Sequence, residues 1–159
     1  MLVLTERFGQ ITVPDDKIIT MKKPILGFER LTSYCLVEHD DFRPFLWLQS
    51  IEEPAVAFVV VNPAVLVPDY GMEIHSNEVA ELMINRVERV ETYVVVTIPS
   101  DITRMSVNLQ GPILVNTENN LAKQLVLTNS DYRVCHRLLD LVPETSESVE
   151  ISEGEMVSV

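Results

Sequence analysis

Apolar and polar residues alternate in short runs along most of the chain, and Gly, Pro, Asn and Asp separate the runs. A period of two is typical of β-strands, because successive side chains of a strand point to opposite faces. The first two runs flank Phe8 and Gly9, so we expect a β-hairpin there. The pattern predicts strands at residues 2–7, 10–13, 17–21, 34–38, 45–50, 57–61, 93–98, 105–109, 113–115 and 123–128.

Two of these predicted strands contain uninterrupted valines, at residues 59–61 and 94–96. Continuous β-branched runs are typical of strands that are covered on both faces. We therefore expect other segments to pack on the outside of this part of the sheet.

Helical patterns are rare in this sequence. Val79, Leu82 and Met83 would share one helical face after a cap at Ser76, and residues 27–31 fit a single helical turn. Many short strands with one or two short helices predict a mainly β domain, built as a small antiparallel barrel or sandwich.

Acidic residues outnumber basic residues by 24 to 12, which gives a formal net charge of -12. Nucleic acids and anionic membranes repel such a chain, so we expect neither as a direct partner, whereas a basic protein surface is attracted. From Glu144 onwards five glutamates occur without any basic or aromatic residue. The chain is therefore divided into a β domain at residues 1–143 and an acidic, disordered tail at 144–159.

The two cysteines, Cys35 and Cys135, lie a hundred positions apart. A disulfide would be possible, but two free buried thiols in a reducing compartment are favoured. The first residues lack the basic segment of a signal peptide, and no apolar run reaches the ~20 residues of a membrane-spanning helix. The expected location is the cytoplasm.

Patterns that would support catalysis or metal binding are weak. Cys135 and His136 are adjacent, so on a strand they point to opposite faces and do not easily hold one metal ion. Cys35 could be the nucleophile of a small hydrolase, but its apolar strand would raise the thiol pKa. We predict no catalytic residue, metal site, cofactor or small-molecule substrate. A hydrolase using Cys35 or His136, and a purely structural β domain, are the alternatives.

The strand at 45–50 contains the only tryptophan of the chain. Phe45, Trp47 and Gln49 would share one face, and the leucines at 46 and 48 would share the other. If the leucines face the core, the aromatic side chains form an exposed patch for a partner. In the alternative interpretation both faces are covered and Trp47 is a core residue.

Amide side chains are frequent in the last third of the β domain. Asn108 and Gln110 alternate with apolar residues, so they would face outward together, and Asn116 and Gln124 follow on the next strands. Amides on a sheet face are able to dock a peptide backbone, and they are equally compatible with ordinary solvated positions.

A series of short motifs, in order from about residue 1 to residue 137, resembles the flagellar assembly factor family FliW. The string PFLWLQS at 44–50, with PDY at 68–70, TIP at 97–99 and NLQGPI at 108–113, is the most specific part. The chain departs from the family in having Asn62, Ala122 and Cys135 where the family usually has Asp, Gly and Arg. The other matching runs are Phe8-Gly9, Gly27-Phe28, Ala57–Val61, Val95-Val96 and Lys123-Gln124.

The resemblance implies a compact, β-barrel-like fold without enzymatic activity. FliW-type proteins bind flagellin in the cytoplasm, and in many bacteria they also bind the RNA-binding translational regulator CsrA and relieve its repression of flagellin synthesis. The expected partners are therefore flagellin and a CsrA-type regulator. The candidate protein-contacting residues are Phe45, Trp47, Gln49, Asp69, Tyr70, Asn108, Gln110, Asn116, Lys123 and Gln124.

Overall fold

The computed structural model describes residues 1–128 and 130–141, so the predicted tail at 144–159 lies outside the described residues. The strands in this part of the chain are β1 (Leu2–Thr5), β2 (Gly9–Thr12), β3 (Ile19–Lys23), β4 (Ser33–Val37), β5 (Leu46–Ser50), β6 (Ala57–Val61), β7 (Val90–Thr97), β8 (Ser106–Val107), β9 (Ile113–Asn116), β10 (Leu121–Gln124) and β11 (His136–Arg137). A four-residue helix, α1, spans Leu138–Leu141. Within the described ranges no helix has the length and apolar character needed to cross a bilayer.

Seven strands close into a barrel in the order β7-β6-β5-β4-β3-β10-β9, and β9 pairs back onto β7. β8 extends the sheet from β7, and β11 pairs with β8. All of these pairs are antiparallel except β3 and β10, which run parallel. The predicted mainly β, barrel-like domain is thus confirmed, with one parallel pair that the alternation pattern did not indicate.

One set of alternating side chains fills the barrel interior. Ile19, Tyr34, Leu48, Val60 and Ile113 are all buried in this cluster. Removing such side chains from water stabilises the fold by about 1.5–3 kcal/mol each, so the interior is the main source of stability.

The β1–β2 hairpin covers part of the barrel from outside. Val3 and Val13 of the hairpin region pack on Cys35, whose side chain points out of the barrel from β4. The hairpin turn contains Gly9, whose φ of 68° lies in the left-handed region that favours glycine. The hairpin predicted at Phe8 and Gly9 is therefore confirmed, and its second strand begins at Gly9 itself.

Three further segments cover the outside of the barrel. The loop after β6 and the residues around α1 pack on Val61 and Val94, so the two valine runs are covered on both faces as predicted. The segment at residues 72–84, named the cover segment below, places Leu82 against β9 and β10. These covers explain why so few strand positions of the barrel wall are polar.

The helix predicted after Ser76 does not form. The chain makes two 3₁₀ turns, Ser76–Glu78 and Ala80–Leu82, and Met83 then adopts a left-handed φ of 50° that ends them. Ser76 does not cap a helix, since it lies inside the first turn. Residues 27–31 likewise form hydrogen-bonded turns, with Phe28 N donating to Ile25 O, and not a helix.

Candidate protein-interaction surface

Burial separates the ten candidate contact residues into three groups, and of these ten only Asp69 is exposed. Five are half-buried, namely Phe45, Tyr70, Asn108, Gln110 and Lys123. Four are buried, namely Trp47, Gln49, Asn116 and Gln124. Whether any of them contacts a partner stays a prediction, but the buried ones have other partners within the chain.

Trp47 lies under the hairpin turn and is 2% exposed. The rings of Phe8 and Phe42 meet it edge-on, with centroids 5.4 and 5.0 Å away, and the Arg7 guanidinium lies 5.5 Å from its ring centroid. Edge-to-face and cation–π contacts of this kind add to the energy of burial. The interpretation of Trp47 as a core residue is therefore right, and the exposed aromatic patch is wrong.

Gln124 and Asn108 hold the chain around Gly111. Gln124 Nε2 donates to Gly111 O at 3.1 Å, and Gln124 Oε1 accepts from Leu26 N at 3.0 Å. Asn108 Oδ1 accepts from Gly111 N at 2.9 Å. A Cβ at position 111 would lie 2.9 Å from Asn108 Nδ2 and 3.0 Å from Gln124 Nε2, so the two amides require glycine here. The amides do dock peptide backbone, but it is the backbone of their own chain.

The other candidate amides act in the same way. Gln110 Nε2 donates to Leu127 O at 2.9 Å. Asn116 Nδ2 donates to Leu82 O at 2.9 Å and so ties the cover segment to β9. Gln49 closes the turn between β5 and β6, because its Nε2 donates to the carbonyl oxygens of Ser50, Pro54 and Val56.

Lys123 fastens the cover segment to β10. Its Nζ donates to Glu78 O and lies 2.5 Å from Glu81 Oε1, and its side chain is 12% exposed. The hydrogen bond from Lys123 lowers the pKa of Glu81, and the charges of Lys22 and Lys23 lower it further. The pair therefore supports the fold at neutral pH, where Glu81 is ionised.

Tyr70 attaches the loop after β6 to the end of β8. Its hydroxyl donates to Leu109 O at 2.7 Å, and its ring stacks on Tyr132 at a centroid distance of 4.5 Å. Burial raises the pKa of the Tyr70 phenol, and Tyr132 raises it further, which keeps the hydroxyl a donor. The neighbouring Asp69 is exposed and is accessible to a partner.

Both cysteines are free thiols. Cys35 is 1% exposed between Val3 and Val13, and burial raises the pKa of its thiol, so it is not placed to act as a nucleophile. Cys135 is exposed, which corrects the prediction that it is buried. His136 Nε2 accepts from Arg133 N at 2.8 Å. Across residues 1–128 and 130–141, no three His, Cys, Asp or Glu side chains are grouped closely enough to hold a metal ion.

The outward face of the hairpin is an apolar surface that the sequence analysis missed. Leu2 and Leu4 are 65% and 62% exposed, whereas Val3 between them is buried. Thr12 and Gln10 lie opposite the two leucines on β2. The alternation already placed these leucines on one face, but only the packing of Val3 identifies that face as the outer one.

A cleft of about 680 Å³ opens beside β2 at one end of the barrel. Glu38 and Glu91 line the cleft, and the Tyr93 hydroxyl donates to Glu91 Oε2. Burial raises the pKa of Tyr93, and the hydrogen bond to Glu91 and the charge of Glu38 raise it further. Acidic side chains in the cleft lining outnumber basic ones by four to two: they are Asp16, Glu38, Glu88 and Glu91 against Lys17 and Arg89.

Comparison with known proteins gives one consistent answer. Residues 3–138 match the family model described as FliW protein. The chain is 36% identical over 148 residues to the flagellar assembly factor FliW of Alkaliphilus metalliredigens, covering 92% of this chain and 91% of that protein. It is 41% identical over 140 residues to the same factor of Geobacter sulfurreducens, covering 88% of this chain and 87% of that protein.

A solved structure agrees with the sequence comparisons. A crystal structure of the flagellar assembly factor FliW aligns with a TM-score of 0.81 and 31% sequence identity. The alignment covers 91% of this chain and 99% of the other. The similarity therefore extends over the whole barrel with its covering segments.

Proposed function

Because the chain belongs to the FliW family of flagellar assembly factors, we propose that it binds flagellin in the cytoplasm and antagonises a CsrA-type translational regulator. In this role it couples the level of flagellin to flagellin translation. The observation that carries the proposal is the family match, which spans residues 3–138.

The charge of the chain supports the regulatory part of the proposal. An RNA-binding regulator needs a basic surface for the phosphate backbone, and a protein of net charge -12 is attracted to such a surface. Once docked, it repels RNA even without covering the RNA site. By linkage, this protein then binds the RNA-free regulator more tightly than the RNA-loaded one.

The hairpin supports the part that concerns flagellin. The ends of flagellin are apolar and unfolded before assembly, so a partner that holds them needs accessible apolar surface. Leu2 and Leu4 supply such a surface on a rigid element. Asp69, the exposed candidate, lies on a different cover of the barrel, so more than one face is accessible to partners.

The chemistry of the thiols favours binding over catalysis. Cys35, one of the two residues of the hydrolase alternative, is buried beneath the hairpin, and burial raises the pKa of its thiol. A Cys35→Ser variant should therefore bind both partners as the wild type does. Loss of a catalytic turnover on this change, in a variant that circular dichroism shows to be folded, would instead favour the hydrolase.

The direct test is calorimetric titration of the protein with purified flagellin and, separately, with a CsrA-type regulator. We expect both to bind, and flagellin to displace the regulator. Raising the salt from about 50 to about 500 mM should weaken the regulator complex far more than the flagellin complex, because salt screens charge contacts. A small globular protein of similar negative charge but unrelated fold is the control. Absence of flagellin binding, or a stable ternary complex in place of displacement, contradicts the proposed coupling.

A further inference from the structure

The β1–β2 hairpin has an open edge. Among residues 1–128 and 130–141, β1 is the strand that pairs with β2, and no other does. Met1 and Val13 exchange both backbone hydrogen bonds, at 3.0 and 2.8 Å. Bonded and non-bonded pairs alternate along an antiparallel ladder, so the N–H and C=O groups of Gln10 and Thr12 point away from β1. Both residues are exposed, which leaves these groups accessible to another strand.

The cleft adjoins this edge. Thr12 lines it together with Ile11 and Val13, whose side chains lie on the barrel side of the hairpin. A strand added beyond β2 would direct every second side chain toward the cleft and the others toward the face that carries Leu2 and Leu4. Side chains that point to the cleft would meet Ile11 and Val13, and those on the other face would meet Gln10 and Thr12 of β2.

The charge around the cleft determines which charge a bound segment should carry. Glu38, Glu88 and Glu91 line the cleft together with residues of β2, and acidic residues predominate in the lining. Lys or Arg side chains on an added strand would be attracted to this lining, and Asp or Glu would be repelled.

We propose that the outer edge of β2 and the adjoining cleft bind an extended, basic segment of a partner polypeptide, which adds to the hairpin as a third strand. The inference rests on the partner-binding role proposed above and names the kind of segment that the site takes. The chain's own residues 142–159 do not fit, because they carry five glutamates and no Lys or Arg. A second copy of the chain does not fit either, since it brings the same acidic cleft and the same net charge of -12.

Two pairs of variants test the two features of the site separately: the open backbone edge of β2 and the acidic lining of the cleft. Thr12→Pro removes the outward N–H without breaking the ladder to β1, whereas Thr12→Val keeps this N–H and changes only the side chain. Glu88→Lys reverses a charge in the cleft lining, and Glu73→Lys makes the same change on the exposed surface of the cover segment. Circular dichroism and thermal unfolding establish that each variant is folded.

The probe is a fluorescein-labelled octapeptide of alternating Lys and Val, measured by fluorescence anisotropy on the full chain at low salt. The control peptide has the same length and label and alternates Glu and Val. We expect the Lys-Val peptide to bind and the Glu-Val peptide not to bind. Thr12→Pro should weaken binding about tenfold, because a peptide carbonyl loses its donor, while Thr12→Val should not. Glu88→Lys should weaken it roughly threefold more than Glu73→Lys does.

Three outcomes would overturn the inference. The first is equal affinity for the two Thr12 variants, and the second is equal binding of the two peptides. The third is a dimer in sedimentation that Thr12→Pro abolishes, which would assign the edge to a second copy. If Thr12→Pro does not change the binding of flagellin or of the regulator, the proposed function stands, but this site does not take part in it.

Discussion

Buried amide side chains connect the loops to the barrel strands of this protein. An amide both donates and accepts, so one side chain satisfies two backbone groups that would be costly to bury unpaired. Gln124 does this for Leu26 N and Gly111 O, two points that are far apart in the chain. Asn62 differs from these amides because it is exposed and accepts one bond: its Oδ1 accepts from Ala64 N at 2.9 Å, as an Asp carboxylate would.

Gln124→Ala should destabilise the fold more than the same change at Gln110. The first substitution leaves the buried carbonyl of Gly111 and the part-buried N–H of Leu26 without partners, at a cost of about 2–3 kcal/mol. Gln110 makes a single half-buried bond to Leu127 O, so its loss costs about 1 kcal/mol. Urea unfolding of the two variants beside the wild type measures the difference. Equal losses in the free energy of unfolding would mean that the two Gln124 bonds contribute no more than the single half-buried bond of Gln110.

The pair of Lys123 and Glu81 should make stability depend on pH in the acid range. The pKa of Glu81 is lowered in the folded state from an ordinary value of 4.5. The contribution of the pair is therefore complete above that value and is lost as the pH falls through the lower, folded pKa. Glu81→Gln should lower the melting temperature at pH 7 and have little effect at pH 3.

Thermal unfolding of wild type and Glu81→Gln from pH 3 to pH 7 measures this dependence. Glu73→Gln, an exposed change on the same segment, should follow the wild-type curve throughout. A difference between wild type and Glu81→Gln that is constant over the whole pH range would rule out ionisation of Glu81 as its cause.

At the scale of elements, local alternation predicted most of the strands and the first hairpin, and the valine runs predicted covering segments, but neither indicated which segments form the covers. A period of two indicates which residues share a face, and it predicts the strands of the β1–β2 hairpin to within about two residues. It does not report what lies on that face, so Trp47 was compatible with both an exposed patch and a core position. The helix predicted for residues 76–83 is wrong for a related reason. Val79 and Leu82 face β9 and β10 from successive 3₁₀ turns. Over so short a distance, the spacing of apolar residues in such turns is the same as in an α-helix.

The reactivity of Cys35 should report the opening of the hairpin. Cys135 is exposed and should react with a thiol reagent at once, whereas Cys35 should react only when the hairpin lifts from β4. Val3→Ala removes methyl groups from this interface, so it should accelerate Cys35 labelling by about tenfold or more without changing Cys135.

Timed labelling followed by mass spectrometry resolves the two thiols. Val126→Ala, a change at an exposed valine, is the matched control and should leave both rates unchanged. The interpretation fails if both thiols of the wild type react at one rate, or if Val3→Ala labels no faster than the control.

At the scale of the whole molecule, the sequence predicts a β domain but not the order of its strands. The same alternating segments fit a sandwich or a barrel, because alternation specifies one buried face and says nothing about neighbours. Closure depends on the parallel pairing of Ile19–Lys23 with Leu121–Gln124, about a hundred residues later. Such a pairing leaves no local signal, and in the folded chain it is accompanied by the bond from Leu26 N, after β3, to Gln124 of β10.

The barrel closes by pairing an early strand, β3, with a late strand, β10. The described part of the chain should therefore unfold as one cooperative unit. Trp47 is the only tryptophan, and it sits between hairpin and barrel, so its fluorescence reports that interface while far-UV circular dichroism reports the sheet. The two signals should give coincident urea transitions. Val3→Ala should move both midpoints to lower urea concentration together, since Val3 packs between the hairpin and the barrel strand β4. A Trp47 transition that precedes the loss of sheet would instead show that the hairpin detaches while the ring of strands stays closed.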